Sequence, residues 1–206
     1  ELKLPAIVAG DTTVRDVRLS AEPAEGGWKI GALHATLPGR ATLEASGDLL
    51  TEEDFGFRGH MLLAVAQPSG FAAWLSNEVD EAIRRLPSAG FDARVELTAD
   101  RQVFEELELS LGGARFDGRI ENVQPEGQRG KMLLDLSGGR LDLEGVAAFA
   151  ALFVGQDTGA RLADHDLDFK VKAGPVIVSG LTAESVDTQL RLRGDTLEVD
   201  RLAVGG

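Results

Sequence analysis

The chain has 206 residues, of which 34 are acidic and 21 are Lys or Arg, and its formal net charge is −13. A strongly negative chain is repelled by nucleic acid and by anionic bilayer surfaces, so neither is expected as a partner. There is no cysteine, which excludes disulfides, Cys–zinc sites and thiol catalysis. With 43% hydrophobic and 27% charged residues, the composition is that of a folded chain that can bury a sizeable core.

Most of the chain alternates apolar and polar residues with period two. Gly or Pro interrupts the alternation about every 8–12 residues, which is typical of short antiparallel strands with one dry and one wet face. The clearest runs begin at Trp28, Leu33, Val95, Leu107, Leu167, Leu190, Leu197 and Leu202. The sequence therefore predicts a mainly β fold with an antiparallel sheet of about a dozen strands.

Three short patterns recur along the chain, which indicates a fold built from repeats. The run R-G-x-M-L-L-x-apolar occurs at residues 58–65 and again at 129–136, and P-x-I-V-x-G occurs at 5–10 and 175–180. The third pattern has an apolar residue, a Leu three positions on and an apolar residue two further on. Its copies are Ile30/Leu33/Ala35, Phe104/Leu107/Leu109 and Val199/Leu202/Val204. We expect three β modules, at residues 1–87, 88–155 and 156–206, within one continuous sheet.

Two helices are predicted between the strands. Residues 71–86 place Phe71, Trp74, Leu75 and Ile83 on one stripe at helical spacing, with Ser69 as the start and Pro87 as the stop. The second helix, at about 144–154, is apolar nearly all round and is expected to be buried, with Gly155 after it.

The apolar run at 145–155 is shorter than the roughly 20 residues needed to cross a bilayer. Because the chain starts at Glu1 without a signal peptide, we expect it to be a piece of a longer protein whose targeting segment or anchor lies elsewhere.

The strand and glycine patterns at 166–206, 5–47 and 95–118 resemble the AsmA-like family of bacterial envelope proteins, which includes TamB-type β-groove proteins. In that family a strand ending near a Gly is followed by a V-x-x-x-L strand, a Gly or Asp turn, and L-x-apolar-x-x-L-x-apolar with a Gly pair. The resemblance covers most of the chain. It implies a curved β-groove fold, an inner-membrane anchor, a periplasmic location, and a role in phospholipid traffic and outer-membrane homeostasis.

An apolar sheet face that two short helices cannot cover requires another occupant, the closing of the sheet on itself, or further chain. Seventeen residues are the candidate wall of a groove for acyl chains, because each stands at an apolar position of the alternation: Leu33, Leu37, Leu43, Val95, Leu97, Leu107, Leu109, Leu111, Leu167, Phe169, Val171, Leu190, Leu192, Leu197, Val199, Leu202 and Val204. The alternative for each of them is an ordinary core position under the helices.

Other motifs carry weaker signals. His34 and His60 are expected on the wet face, and Asp164, Asp166 and Asp168 share one face of a strand, where a weak Ca²⁺ or Mg²⁺ site is the alternative to plain solvation. The acidic pairs at 52–54 and 105–106 are adjacent in sequence and do not converge as glycosidase carboxylates do. Neither G-x-S-x-G nor H-E-x-x-H occurs. We therefore expect no enzyme activity, no cofactor and no metal.

The expected function is a non-enzymatic groove that holds or conducts phospholipid acyl chains between the inner and outer membranes, together with the remainder of the same chain. The first alternative is a structural spacer or interaction module that assists outer-membrane protein assembly, with assembly factors as partners. The second alternative is a hydrolase acting on envelope glycans.

Overall fold

The fold is an open, curved sheet with helices on one face. A computed structural model describes residues 2–9, 12–52, 55–76, 79–154, 165–178 and 181–205. Strands make up most of the described residues and helices a small part, and the long antiparallel sheet does not close into a barrel. The mainly β fold predicted from the alternation is confirmed.

The strands are β1 (Leu2–Ala9), β2 (Thr12–Ala24), β3 (Gly27–Leu37), β4 (Ala41–Leu50), β5 (Gly56–Val65), β6 (Ala89–Leu97), β7 (Arg101–Leu111), β8 (Ala114–Val123), β9 (Gly130–Gly138), β10 (Leu141–Asp142), β11 (His165–Ala173), β12 (Val176–Val178), β13 (Leu181–Ala183), β14 (Ser185–Arg193) and β15 (Thr196–Gly205). The helices are α1 (Pro68–Ser76), α2 (Glu81–Arg85) and α3 (Leu143–Val154).

The main sheet has 12 strands in the order β1-β2-β3-β4-β5-β6-β7-β8-β9-β11-β14-β15. It runs through all three modules expected from the repeats. Its neighbouring strands are antiparallel, except that β11 pairs parallel with β9. The connection between those two includes β10 and α3, as a parallel pair requires a crossover. A small sheet, β10-β12-β13, accompanies the main one.

The third sequence pattern is a β-bulge. Ile30 and Leu33 of β3 pair with Gly47 and Ala45 of β4, so three steps on one strand face two on the other. In the same way, the three steps from Phe104 to Leu107 in β7 face two steps in β8. The three steps from Val199 to Leu202 in β15 face two steps in β14. A bulge shifts the alternation by one residue. The first apolar residue of each pattern and the Leu three positions later therefore stay on the same face of the sheet.

β2 contains a further bulge that the sequence reading missed. The register of β2 against β3 shifts between Arg15 and Arg18, within the apolar series Val14, Val17 and Leu19. Asp16 in this bulge has φ +52°, and Glu106 in the β7 bulge has φ +51°. Both are non-glycine residues in the left-handed region, which a bulge position can require.

The glycines of the R-G-x-M-L-L repeat allow close approach. Gly59 of β5 faces Gly47 of β4, and a Cβ on Gly59 would lie 2.7 Å from the Gly47 Cα. A Cβ on Gly130 would meet the buried ring of His165 and lie 2.6 Å from the Gln124 Oε1. Each glycine is therefore needed for a contact and not for a turn.

The helix predicted at 71–86 is wrong in its bounds, because two helices occupy this segment. The described residues contain three helices, not the two expected. α1 begins at Pro68, a position that suits proline, so Ser69 is not its cap. Asp80 is extended (φ −60°, ψ 145°), and its Oδ1 accepts a hydrogen bond from the Ala82 amide. Asp80 thus begins α2 and interrupts a continuous helix. Leu75, placed on the apolar stripe by the prediction, is exposed.

The second predicted helix closely matches α3, which spans Leu143–Val154. The Asp142 Oδ1 accepts a hydrogen bond from the Gly145 amide at 3.1 Å and so caps the first turn. Gly155, the expected stop, lies outside the described residues.

The core lies between the helices and one face of the sheet. Phe71 of α1 packs with Ala41, Leu63 and Val65. Ile83 of α2 is 1% exposed, and Phe149 of α3 joins a larger cluster with side chains of β6–β9 and β11. An ion pair of 2.9 Å between Arg85 and Glu144 links α2 to α3.

Gly39, in the β3–β4 turn, supports the start of α1. Its carbonyl accepts a hydrogen bond from the Gln67 amide at 2.8 Å. Its φ is +75°, and a Cβ there would collide with the Phe71 backbone nitrogen and lie 2.7 Å from the Gln67 oxygen. Gly113 in the β7–β8 turn has φ +87°, but a Cβ added to it would have no neighbouring atom within 4 Å.

We predict that Gly39→Ala destabilises the fold more than Gly113→Ala. Both variants place alanine in the left-handed region at about 1–2 kcal/mol, but only Gly39→Ala adds about 1–3 kcal/mol of overpacking against α1. Chemical denaturation of both variants measures the difference. Equal loss of stability in the two would show that the turn does not hold α1.

Candidate functional site

The candidate site is one face of the main sheet. Directly paired residues on neighbouring strands point to the same side, so the register traces rows of side chains across the strands. All seventeen candidate wall residues fall on a single face by this criterion. We call it the apolar face.

One row of the apolar face contains no polar side chain over ten strands. We call it the apolar row, and it consists of Ile30, Gly47, Gly59, Val95, Phe104, Ile120, Leu134, Phe169, Leu190 and Val199. The bulges in β3, β7 and β15 keep their residues in it. The row runs along the hydrogen-bonding direction of the sheet, and from Val95 on β6 to Val199 on β15 it is a continuous strip of apolar side chains. Gly47 and Gly59 carry no side chain.

The next row is interrupted by two amides. Gln102 and Asn122 face each other at its middle, between Leu97 on one side and Met132 on the other. The Asn122 Nδ2 donates to the Gln102 Oε1 at 2.7 Å, and the Gln102 Nε2 donates to the Thr98 carbonyl at 2.7 Å. The Asn122 Oδ1 is buried without a hydrogen-bond partner. This amide pair is a polar boundary beside the apolar row at β7 and β8. From β9 to β15 the same neighbouring row is apolar, with Met132, Leu167, Leu192 and Leu197.

The candidate residues of the apolar face differ in how far other parts of the chain shield them from solvent. Under the helices and the small sheet, Val95, Leu107 and Val171 are at most 3% exposed, and Leu109 and Leu111 are also buried. The other candidate residues of β3, β4, β6, β11 and β14 are half-buried. On β15, Leu197, Val199, Leu202 and Val204 are 53–66% exposed. The face is therefore closed at its middle and open toward β15.

The sequence reading missed several residues of the apolar face. Phe116 is 1% exposed and Leu136 is 2% exposed, and both share rows with candidate residues. Met61, Leu63 and Val65 lie there too, as do Met132 and Leu134. Met61, Leu63, Met132 and Leu134 belong to the repeated M-L-L run, where three consecutive apolar residues conceal which of them point inward. The middle leucines, Leu62 and Leu133, point to the opposite face.

The opposite, polar face carries a ladder of ion pairs across β5–β8. Its contacts are Arg58–Glu96 (2.8 Å), Glu96–Arg101 (3.0 Å), Arg101–Glu121 (3.6 Å), Glu121–Arg119 (2.8 Å) and Arg119–Glu105 (3.3 Å). Val103 stands among these side chains and is 3% exposed, because long charged side chains cover it with their apolar stems. A second group on β11, β14 and β15 includes a bidentate Arg191–Asp200 pair.

Hydrogen bonds from Arg58 and then from Arg101 lower the pKa of the Glu96 carboxyl below its ordinary value of 4.5. The same contact with Glu96 raises the pKa of Arg101, and Asp200 raises that of Arg191. Because the Glu96 pKa is lower in the folded than in the unfolded state, the unfolded state binds its proton first as the pH falls. The stability from these bonds is present above pH 4.5 and is lost in more acidic solution.

We predict that Glu96→Gln lowers the free energy of unfolding by about 1 kcal/mol at pH 7, the upper range for a partly exposed pair. The difference from the unsubstituted chain should shrink as the pH falls below 4.5. Denaturation of both proteins across pH measures this. Glu198→Gln is the control, since its contact with Arg191 is 3.9 Å long. A pH-independent difference would contradict the assignment.

The other candidate groups are engaged in local contacts. His34 lies 3.4 Å from Glu44, and His60 pairs with Asp92 at 2.6 Å. His60 is exposed and His34 is half-buried. Asp168 forms a bidentate pair with Arg193. Asp164 lies outside the described residues. Among the described residues, no three acidic or histidine side chains are grouped as metal ligands.

The acidic pairs also have local partners where the structure describes them. Glu105 pairs with Arg119 and Glu106 with Arg94, both at 3.3 Å, so the two carboxylates are directed to separate arginines. Glu53 and Asp54 lie outside the described residues. A depression of about 600 Å³ on the polar face is lined by groups of both signs, among them Asp92, Glu108 and Arg115.

The geometry defines an open antiparallel sheet with one continuous apolar face and one charged face. Within the described part of the chain, no helix has the length and hydrophobicity that a membrane crossing needs. No protein-family model, curated protein or solved structure matches the chain.

Proposed function

We propose that the chain holds phospholipid acyl chains against its apolar face, without chemistry, as its resemblance to AsmA-like proteins implies. The observation that carries the proposal is the apolar row, which crosses ten strands without a polar side chain. The proposal includes the periplasmic side of the inner membrane as the location and traffic toward the outer membrane as the purpose.

Energetics support a continuous apolar strip in this role. Moving an acyl chain from a bilayer into water costs about 0.8 kcal/mol per CH₂, or roughly 13 kcal/mol for sixteen carbons. Contact with apolar side chains can offset most of that cost. From Ile120 to Val199 the row has accessible surface, because Ile120, Leu134, Phe169 and Leu190 are half-buried and Val199 is exposed.

Covered rows on one side and an amide pair on the other adjoin the path of the acyl chain. The helices and the small sheet cover the rows on one side, including Leu107, Leu136 and Val171. On the other side, at β7 and β8 only, Gln102 and Asn122 present amides that an acyl chain avoids, since it cannot hydrogen-bond to them. We therefore assign the acyl chain to the apolar row.

A second candidate function is the structural spacer or interaction module, which would support assembly of outer-membrane proteins without lipid. The specific observation in its favour is the cover itself. Phe71 and Phe149 are buried against the sheet at 2% and 4% exposure, so the helices already satisfy much of the apolar face without a ligand.

We predict that Val199→Glu and Leu190→Asn each reduce bound phospholipid at least about tenfold, because a buried polar group without a partner costs more than 1.4 kcal/mol. The measurement is native mass spectrometry after incubation with phosphatidylethanolamine and phosphatidylglycerol vesicles, followed by denaturing extraction of the lipid. Thr196→Glu is the matched control, because it adds the same charge to the opposite face of β15.

Lipid binding that survives both changes in folded protein would contradict the groove. A clean lipid-free mass for the folded, unsubstituted chain would do the same and would leave the spacer as the leading function. Circular dichroism of each variant establishes that the sheet is intact.

A further inference from the structure

Gln102 and Asn122 are the two polar members of a long row of apolar side chains. This row, which we call the amide row, adjoins the apolar row on the side of the β6–β7 turn. From β2 to β15 it consists of Pro23, Trp28, Leu49, Phe57, Leu97, Gln102, Asn122, Met132, Leu167, Leu192 and Leu197. Polar groups in such surroundings are costly unless they are hydrogen-bonded, so the amide pair calls for a physical reason.

The fold itself does not require amides at these two positions. β3 and β7 carry the same bulged pattern, and Trp28 stands in β3 where Gln102 stands in β7, two residues before the pattern begins. Leu49 of β4 faces Trp28 just as Asn122 of β8 faces Gln102. The equivalent pair in the same sheet is therefore entirely apolar.

Neighbouring contacts fix the orientation of both amides. The Gln102 Nε2 donates to the carbonyls of Thr98 at 2.7 Å and Ala99 at 3.2 Å, so the Gln102 Oε1 is the atom directed at Asn122. That oxygen accepts the 2.7 Å hydrogen bond from the Asn122 Nδ2. The Asn122 Oδ1 is buried and has no hydrogen-bond partner among the described residues. Gln102 thus anchors the β6–β7 turn, whereas the Asn122 oxygen is an acceptor that lacks a donor.

The amide pair lies where the apolar face meets solvent. Gln102 is close to the β6–β7 turn, in which Ala99 and Asp100 are exposed, and Asn122 is followed by the mostly exposed connection at 124–129. On the opposite side of the apolar row, the helices cover the sheet. The polar end of a lipid whose tail lies in the apolar row can therefore reach solvent across the amide pair.

We propose that the Asn122 Oδ1 accepts a hydrogen bond from a lipid that carries a hydroxyl within a few bonds of its acyl carbonyl. Asn122 thereby selects the lipid class of the proposed groove, on whose existence this role depends. A plain diacyl phospholipid presents ester oxygens at this level, which are acceptors and leave the Asn122 oxygen without a partner. A 3-hydroxyacyl chain, or the free glycerol hydroxyl of a monoacyl phospholipid, supplies the donor.

A shift of a neighbouring side chain gives the hydroxyl access to the buried oxygen. Met132 of β9 faces Asn122 directly and is half-buried. Methionine is unbranched and flexible, so it re-packs readily around an added group. We expect Met132 to move when the hydroxylated lipid binds.

A competition between two lipids that differ by one hydroxyl tests this role. The chain is incubated with vesicles that contain equal amounts of two phosphatidylethanolamines, one with a 3-hydroxyhexadecanoyl chain and one with a hexadecanoyl chain. Native mass spectrometry resolves the two complexes, since the lipids differ by one oxygen atom. We expect the hydroxylated lipid to be favoured about tenfold, because the new hydrogen bond also satisfies a buried acceptor.

A second pair of lipids distinguishes the two sources of the hydroxyl. It consists of a monoacyl phosphatidylethanolamine with a free glycerol hydroxyl and the same lipid with that hydroxyl methylated. A preference within this pair alone assigns the donor to the glycerol, and a preference within the first pair alone assigns it to the acyl chain.

Substitutions of the amide pair locate the contact. Asn122→Leu removes the acceptor and should abolish the preference, while the plain lipid still binds. The double variant Gln102→Leu/Asn122→Leu should do the same, and it leaves no amide unpaired because it reproduces the apolar character of Trp28 and Leu49. A merely structural role of the amides would reduce binding of both lipids without changing their ratio.

Thr188→Val is the matched control. Thr188 faces Val171 and so points to the apolar face, but its hydroxyl donates to the Arg201 carbonyl at 3.3 Å. Removal of this satisfied group should leave the preference for the hydroxylated lipid unchanged. Circular dichroism of each variant establishes that the sheet is intact.

Equal binding within both lipid pairs would overturn the role of Asn122 and leave the groove intact. A preference that persists in folded Asn122→Leu would overturn it as well, because the hydroxyl would then have another acceptor. Binding of none of the lipids would contradict the groove and the selection together. The two proposals therefore fail by different results.

Discussion

The structure depends on keeping apolar side chains on one side of a twelve-strand sheet. A strand alternates strictly, so an uncorrected shift of one residue would move its apolar set to the polar face. Bulges in β2, β3, β7 and β15 make the correction within the strand. The apolar row, the helical cover and the exposed surface of β15 all follow from this alignment.

Much of this could be predicted because alternation is a local property. The seventeen candidate residues share one face, as their spacing indicated, and even the three-residue step of the repeated pattern was visible as an irregularity. Its meaning as a bulge was not, because a bulge is defined by the register of the partner strand. The inward residues of the M-L-L run were undetermined for the same reason.

The larger errors concern competition between local and tertiary interactions. An apolar stripe at 71–86 predicted one helix, but the Asp80 carboxylate hydrogen-bonds the Ala82 amide and starts a new one. The parallel pairing of β9 with β11 depends on where α3 packs, and no sequence pattern at 130–138 or 165–173 distinguishes it from an antiparallel pair. The open end at β15 likewise required the strand order.

The dimensions of the apolar row bear on how much lipid it can accept. Neighbouring strands lie about 4.8 Å apart, so the five strands from Ile120 to Val199 span roughly 19 Å. One leaflet contributes about half of the 30 Å hydrocarbon thickness of a bilayer. The open part of the row is thus somewhat longer than the roughly 15 Å depth of one leaflet. A single tail could lie across it in full while α1, α2 and α3 remain in place, and a second tail would have to lie beside it or replace them.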